Sequence, residues 1–136
     1  LAHGIPFVDG CADYVYSSHF LEHLFRADAL RLLRETHRVL KPGGIVRVCV
    51  PDLAHAIALY HKGEKEKMLA DYFFVEDLES SLARHKYMYD FELLAGTLAD
   101  AGFRNMMQCA YREGRTPDLA ILDNRPGETL YVEAER

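Results

Sequence analysis

Cysteine is scarce in this chain of 136 residues. The three cysteines, Cys11, Cys49 and Cys109, lie far apart, and no two of them form a Cys-x-x-Cys pair. An odd number of cysteines at such spacings excludes a disulfide framework and a thiolate zinc site. Cys49 falls inside an apolar run, where a free cysteine behaves as a small buried hydrophobe. We therefore expect a reduced, cytoplasmic protein.

An excess of positive charge and a long apolar run are also missing. The formal net charge is −5, which is unlike a protein that neutralises the phosphates of nucleic acid. No apolar stretch has the length of a membrane span, and no signal-peptide pattern opens the sequence. Hydrophobic residues make up 49% of the chain, which is enough to build one core. We expect a single domain over residues 1–136 that binds neither nucleic acid nor membranes.

The first half of the chain has the pattern strand, helix, strand. Residues 12–17 are short, aromatic and β-branched, which is typical of a strand. Apolar side chains then recur with the helical period over residues 26–40, and the turn Pro42-Gly43-Gly44 ends that helix. Residues 45–50 form a nearly continuous β-branched run, as in a parallel strand covered on both faces. A right-handed crossover through the helix is expected to join the two strands.

The second half adds helices and two closing strands, which completes an α/β pattern with helices on both faces of a mostly parallel sheet. The last two strands are joined too closely for a helical crossover, so they should pair antiparallel. The expected elements are a helix over residues 53–62, one or two helices over residues 64–84, a helix that Asp90 caps and Gly102 ends, strands over residues 103–111 and 129–135, and a short element over residues 118–122.

Several short motifs follow one another in a set order, each weak alone but specific as a series. They are Ile5 to Gly10 (IPFVDG), Ala12 to Leu24 (ADYVYSSHFLEHL), Arg38 to Gly44 (RVLKPGG), Pro51-Asp52, Gly102-Phe103 and Leu130 to Ala134 (LYVEA). With this series the chain resembles the class I S-adenosylmethionine-dependent methyltransferases. More narrowly, it is similar to their type 11 group.

The resemblance implies a partial Rossmann-like methyltransferase sheet, namely strands four to seven of seven with the last two antiparallel. The family's glycine-rich cofactor loop would lie before Leu1, so the chain is expected to be an N-terminally truncated domain. The strand over residues 12–17 would then lack its central partner and present an apolar edge, which proteins normally cover. We expect either an N-terminal segment or a second copy in a homodimer to cover that edge.

The resemblance also implies where S-adenosylmethionine would bind. Ligands of open α/β sheets lie beyond the carboxyl ends of the strands, and here Ser17, Ser18 and His19 hold that position. His19 would face the methyl-transfer region, and His23 is a candidate general base near the acceptor. In the alternative interpretation the two serines only make the turn and cap a helix, while Glu22 and His23 anchor its start.

Residues 19–23 also spell His-x-x-Glu-His, the zinc-binding pattern of inverted zinc peptidases. That pattern needs both imidazoles on one helix, whereas His19 immediately follows a strand. No further carboxylate ligand is apparent along the chain. We therefore disfavour this interpretation and expect no metal site.

Two further segments are candidates for the acceptor pocket. Pro51 and Asp52 end a strand at the same edge of the sheet, although Asp52 serves equally well as a helix N-cap. Residues 84–89 mix basic and aromatic side chains and are candidates for a cover over that edge. A solvated loop that packs its tyrosines on the core is the favoured interpretation of residues 84–89.

The favoured function is methyl transfer from S-adenosylmethionine to a small-molecule acceptor. Because the cofactor-gripping loop is expected upstream, this chain alone should be incompetent. The alternative is a non-catalytic α/β module that has lost the cofactor site and acts in assembly. Oxygen, nitrogen and carbon acceptors all remain open, since a fold does not choose among them.

Overall fold

The computed structural model describes residues 4–75 and 84–136, and the chain forms a four-stranded mixed sheet with the strand order β1-β2-β4-β3. Strands β1 and β2 are parallel, whereas β4 is antiparallel to both of its neighbours. The elements are β1 (Ala12–Ser18), a 3-10 turn (Leu21–His23), α1 (Arg26–Val39), β2 (Leu40–Pro51), α2 (Leu53–His61), α3 (Lys65–Met68), a π-helical turn (Leu69–Phe73), α4 (Phe91–Asp100), β3 (Arg104–Cys109), α5 (Leu119–Leu122) and β4 (Thr129–Glu135).

The predicted strand–helix–strand unit is confirmed, with one difference at its turn. Strand β2 begins at Leu40, directly after α1, so the turn predicted at residues 42–44 lies inside the strand. Leu40 pairs with Ala12, and the backbones of Gly43 and Gly44 bond to Arg136. A Cβ on Gly44 would lie 2.9 Å from the Lys41 carbonyl oxygen. Glycine is therefore needed there for a close approach of backbones.

One face of the sheet carries the apolar core. Val46, Val48 and Val50 alternate along β2 on the face that helices α1 and α4 cover. Helix α1 buries one stripe made up of Ala29, Leu33, Thr36 and Val39, the helical period that the sequence shows. Burial of apolar area on this face is the main source of folding free energy, at about 25 cal/mol per Å².

The opposite face of the sheet carries a buried charge network. Arg47 is 0% exposed, and its guanidinium donates to both carboxylate oxygens of Asp123, at 3.1 and 2.5 Å. It also donates to Glu133 and to the carbonyls of Ala110 and Glu113. All five guanidinium hydrogens thus have acceptors. The network attaches residues 110–127, including α5, to this face.

Glu133 completes the network from strand β4. Its carboxylate accepts from the backbone amides of Arg115 and Thr116 and from the Thr116 hydroxyl. Burial alone would raise the pKa of Glu133, but these hydrogen bonds and Arg47 outweigh burial and lower it. Burial also raises the pKa of the nearby Cys49 thiol to about 12. Cys49 is therefore an inert buried residue, as the sequence predicts.

The helices after β2 follow the sequence in part. Asp52 caps α2 by accepting from the Ala54 amide, and Asp90 caps α4 by accepting from the Leu93 amide. The helices expected over residues 64–84 are represented by α3 and the π-helical turn, and the part over residues 76–83 lies outside the described residues. The closing strands pair antiparallel as predicted.

Strand β1 is an edge strand, and within the described residues it pairs only with β2. The edge predicted from the resemblance is therefore present.

In the part of the chain that the structure covers, no helix has the length and apolar character needed to cross a membrane.

Replacing Asp123 by alanine tests the charge network. The substitution leaves the buried Arg47 with an incomplete counter-charge, which costs about 3–5 kcal/mol of unfolding free energy. Asp28→Ala is the matched control, because the pair of Asp28 with Arg31 is exposed and is its one ion pair among the described residues, so its loss should cost less than about 1 kcal/mol. Urea denaturation measures both, and equal losses would contradict a structural role for the network.

Candidate functional site

A cleft of about 420 Å³ lies at the carboxyl ends of β1 and β2. Open α/β sheets bind their ligands at this end of the strands. The volume lies within the usual range for small-molecule sites. The residues around the cleft come from five separate stretches of the chain. They are His19, Glu22, His23, Pro51, Asp71, Tyr72, Val75, His85, Arg125, Pro126, Glu128 and Thr129.

His19 is fixed at the end of β1 by contacts on both sides of its ring. Its backbone amide donates to the Cys49 carbonyl at 2.8 Å. Its Nε2 is hydrogen-bonded to the Thr129 hydroxyl at 3.0 Å, and its Nδ1 lies 3.5 Å from a carboxylate oxygen of Glu22. The backbone of His19 is left-handed, with φ of +48°, a strained conformation that clusters at functional sites.

The positive φ of His19 also ends the inverted zinc-peptidase interpretation. Only Leu21–His23 are helical, and they form a single 3-10 turn that begins after Phe20. His19 and His23 are therefore not successive side chains on one face of an α-helix. The arrangement that the His-x-x-Glu-His spacing suggests is not formed.

Glu22 is the most unusual residue of the site. It is 0% exposed, and neither of its carboxylate oxygens has a hydrogen-bond partner among the described residues. Its closest polar neighbours are His19 Nδ1 at 3.5 Å and His23 Nε2 at 3.6 Å from Oε1. Buried carboxylates are normally paired and hydrogen-bonded. From the sequence, Glu22 was expected to anchor the start of a helix.

The segment over residues 84–89 brings a further imidazole to the cleft. The amides of Lys86 and Tyr87 donate to the Glu22 carbonyl at 2.7 and 3.2 Å. This docking places the His85 ring 5.0 Å from the His23 ring, centroid to centroid. His85 Nδ1 lies 2.5 Å from the Tyr72 carbonyl, to which it donates. Burial lowers the pKa of His85, although the Tyr72 carbonyl acts in the opposite direction.

The two interpretations of residues 84–89 both describe part of this segment. Tyr89 is buried in the main core and Tyr87 packs against it, as the packing interpretation predicts. His85 lines the cleft, as the interpretation of a cover over the site predicts.

The other predicted site residues divide between the cleft and the scaffold. Pro51 lines the cleft, whereas Asp52 is the N-cap of α2. Ser17 and Ser18 are the last residues of β1, in register with Val48 and Cys49. Neither serine caps the following turn, which begins after Phe20 without a side-chain cap.

One wall of the cleft was not predicted from the sequence. It consists of Arg125, Pro126 and Glu128, from the loop that leads into β4, and of Thr129, the first residue of β4. Because β4 runs antiparallel to β2, its first residues lie at the carboxyl end of the parallel strands. The antiparallel final strand that the sequence predicts therefore indicated that the residues at its start would lie beside the cleft. The residues themselves carry no motif.

Two buried glutamates allow a matched test of the site. Glu133→Gln removes a carboxylate that accepts four hydrogen bonds and should destabilise the chain by about 2 kcal/mol or more. Glu22→Gln removes a buried carboxylate without such partners and should leave the chain equally or more stable. Urea denaturation of both variants measures the change in the free energy of unfolding. A larger loss for Glu22→Gln would mean that Glu22 is a structural residue.

The chain is similar to known methyltransferases in two ways. Residues 1–48 match the family model described as a methyltransferase domain. The fold is similar to that of a SAM-dependent methyltransferase from Methanosarcina mazei, with 17% identity, a TM-score of 0.61 and coverage of 100% of this chain and 64% of that one. The match to the S-adenosylmethionine-dependent methyltransferase SibL has 22% identity, a TM-score of 0.63 and coverage of 96% and 32%.

A SAM-dependent methyltransferase from Archaeoglobus fulgidus matches with 15% identity, a TM-score of 0.58 and coverage of 96% of this chain and 62% of that one. The chain thus spans less than two thirds of the length of these structural relatives. No curated protein matches it in sequence. At these identities the likeness to solved structures establishes the fold, and the family model independently establishes the methyltransferase signature in residues 1–48. The chain therefore has a fold similar to that of SAM-dependent methyltransferases, and its residues 1–48 match the model of a methyltransferase domain.

Proposed function

We propose that this chain forms the acceptor side of an enzyme that transfers the methyl group of S-adenosylmethionine to a small molecule. The observation that supports the proposal is the cleft at the carboxyl ends of β1 and β2, in a fold shared with methyltransferases. His19 and His23, the residues that the sequence singled out for catalysis, both line this cleft.

The residues at the end of β1 fit a cofactor that lies beyond the carboxyl ends of the strands. Ser17 and Ser18 are the last two residues of β1, so their backbone lies at that end of the sheet. His19 follows directly and turns its ring into the cleft. When bound, the cofactor supplies a methyl group on a sulfonium, which is already a good electrophile. The chain's own residues then need chiefly to position the acceptor.

The cleft is suited to a small polar acceptor. Its walls carry acidic groups on Asp71 and Glu128, the cationic Arg125 and the imidazoles described above. We assign His19 the role of receiving a proton from the acceptor or holding it in line, because Glu22 and Thr129 orient its ring from both sides. His23 lines the same wall and is the second candidate for the base.

A partner strand on the outer edge of β1 completes the proposal. It is supplied either by a segment that precedes this chain in the same protein or by a second copy. An uncovered edge should drive self-association of the 136-residue chain. Sedimentation velocity measures the oligomeric state, and a stable monomer at micromolar concentration would contradict the need for a covering strand.

Cofactor binding and the role of His19 are tested together in the protein extended by its upstream coding sequence. Calorimetry should show S-adenosylmethionine binding to the extended protein and negligible binding to the 136-residue chain. Against a mixed panel of hydroxyl, amine and carbon-acid acceptors, His19→Asn should lower the rate of S-adenosylhomocysteine release about 100-fold or more. His61→Asn is the control, since His61 is an exposed residue of α2.

The same experiment separates the enzyme from the alternative, a non-catalytic assembly module. An extended protein that binds no cofactor would support the module. If the extended protein binds the cofactor but His19→Asn leaves the rate of S-adenosylhomocysteine release unchanged, the protein is an enzyme and His19 takes no part in its chemistry.

A further inference from the structure

The unpartnered carboxylate of Glu22 calls for a positive charge. A buried carboxylate without hydrogen bonds is costly, and such groups are normally paired or bound to a metal. Within the described residues, no lysine or arginine lies within ion-pair distance of Glu22, and only the two histidines do. The counter-charge is therefore either a protonated imidazole or a cation that the imidazoles help to hold.

The distances favour a cation shared by several groups. A hydrogen bond between an imidazolium and a carboxylate is about 2.7–2.9 Å long, whereas His19 and His23 stand 3.5 and 3.6 Å from the carboxylate. One possible ligand atom from each of Glu22, His23 and His85 lies within 4.8 Å of the others. Tetrahedral zinc with bonds of about 2.0–2.1 Å holds its ligand atoms about 3.3 Å apart.

The imidazoles present the nitrogen that a metal needs. His85 Nδ1 donates to the Tyr72 carbonyl at 2.5 Å, which leaves the lone pair on Nε2. His23 Nδ1 faces the Arg84 carbonyl at 3.4 Å, a longer contact of the same kind, while its Nε2 faces Glu22. Metal-bound histidines commonly donate their other nitrogen to a carbonyl in this way, which fixes the tautomer.

The backbone assembles these groups in advance. The amides of Lys86 and Tyr87 donate to the Glu22 carbonyl, and Lys86 Nζ donates to the His23 carbonyl at 3.0 Å. The two segments that carry the three side chains are thus tied together by contacts that do not use those side chains. Such preorganisation is what a binding site requires.

We propose that Glu22, His23 and His85 form a site for one divalent transition-metal ion of the zinc class. Two imidazoles and one carboxylate suit such an ion better than Mg²⁺, which prefers oxygen ligands. All three residues line the cleft, so the remaining coordination position faces it and is open to an oxygen or nitrogen donor of a bound molecule. His23 is then a metal ligand, and His19 is the imidazole left free to act on an acceptor.

Calorimetric titration of the tag-free, chelator-treated chain with zinc chloride tests the site. We expect one Zn²⁺ per chain, no competition from equimolar Mg²⁺, and a loss of affinity of about 100-fold or more in both Glu22→Gln and His85→Asn. His61→Asn is the matched control and should bind zinc as the wild type does. The titration uses metal alone, so its outcome does not depend on cofactor binding or methyl transfer.

X-ray absorption of the zinc-loaded wild type identifies the ligand atoms of the ion directly, so its result does not depend on how a substitution affects folding. The expected first shell has only nitrogen and oxygen at about 2.0–2.1 Å, with imidazole scattering, whereas sulfur at about 2.3 Å would place the ion on the cysteines. Sulfur ligation, absence of stoichiometric binding, or unchanged affinity in both ligand variants overturns the proposal. If His85→Asn does not fold, Glu22→Gln and the absorption spectrum decide.

Discussion

The buried guanidinium of Arg47 is the interaction on which the layout of this chain depends. The apolar face of the sheet is covered by α1 and α4 through ordinary hydrophobic packing. The opposite face is covered by an irregular segment, residues 110–127, which includes the short helix α5. Arg47 holds this segment by Asp123 and two backbone carbonyls. Asp123 lies directly before the loop that supplies one wall of the cleft, so the network also positions that wall.

The cleft exists because strands of opposite direction share one edge. Parallel strands β1 and β2 end there with His19 and Pro51, while antiparallel β4 begins there with Thr129. The hydrogen bond between His19 and Thr129 joins the two walls across this edge. The site is thus a consequence of strand order, and its side chains come from stretches that are distant in sequence.

The two buried glutamates, Glu133 in the charge network and Glu22 in the cleft, differ in the hydrogen bonds that their carboxylates accept. Glu133 accepts hydrogen bonds from two amides, a hydroxyl and a guanidinium, and its lowered pKa reflects them. The Glu22 carboxylate has imidazoles near it and no hydrogen bond within the described residues. Natural proteins tolerate an unsatisfied buried charge mainly where binding compensates for it. That contrast links the proposed methyl-transfer cleft with the proposed metal site, since both use the same edge and divide its histidines between them.

The sequence by itself determined the α/β class, the strand–helix–strand unit, the caps at Asp52 and Asp90 and the antiparallel ending, because local periodicity and turn chemistry encode these features. It also singled out His19 and His23, through the resemblance to methyltransferases and their place after a strand. Only the tertiary structure decided that the Glu22 carboxylate is buried without hydrogen bonds to the described residues, that His85 lies beside it, and that Arg47 is fully paired. Those three facts depend on contacts between segments far apart in the chain, and no spacing pattern records which segments a fold brings together.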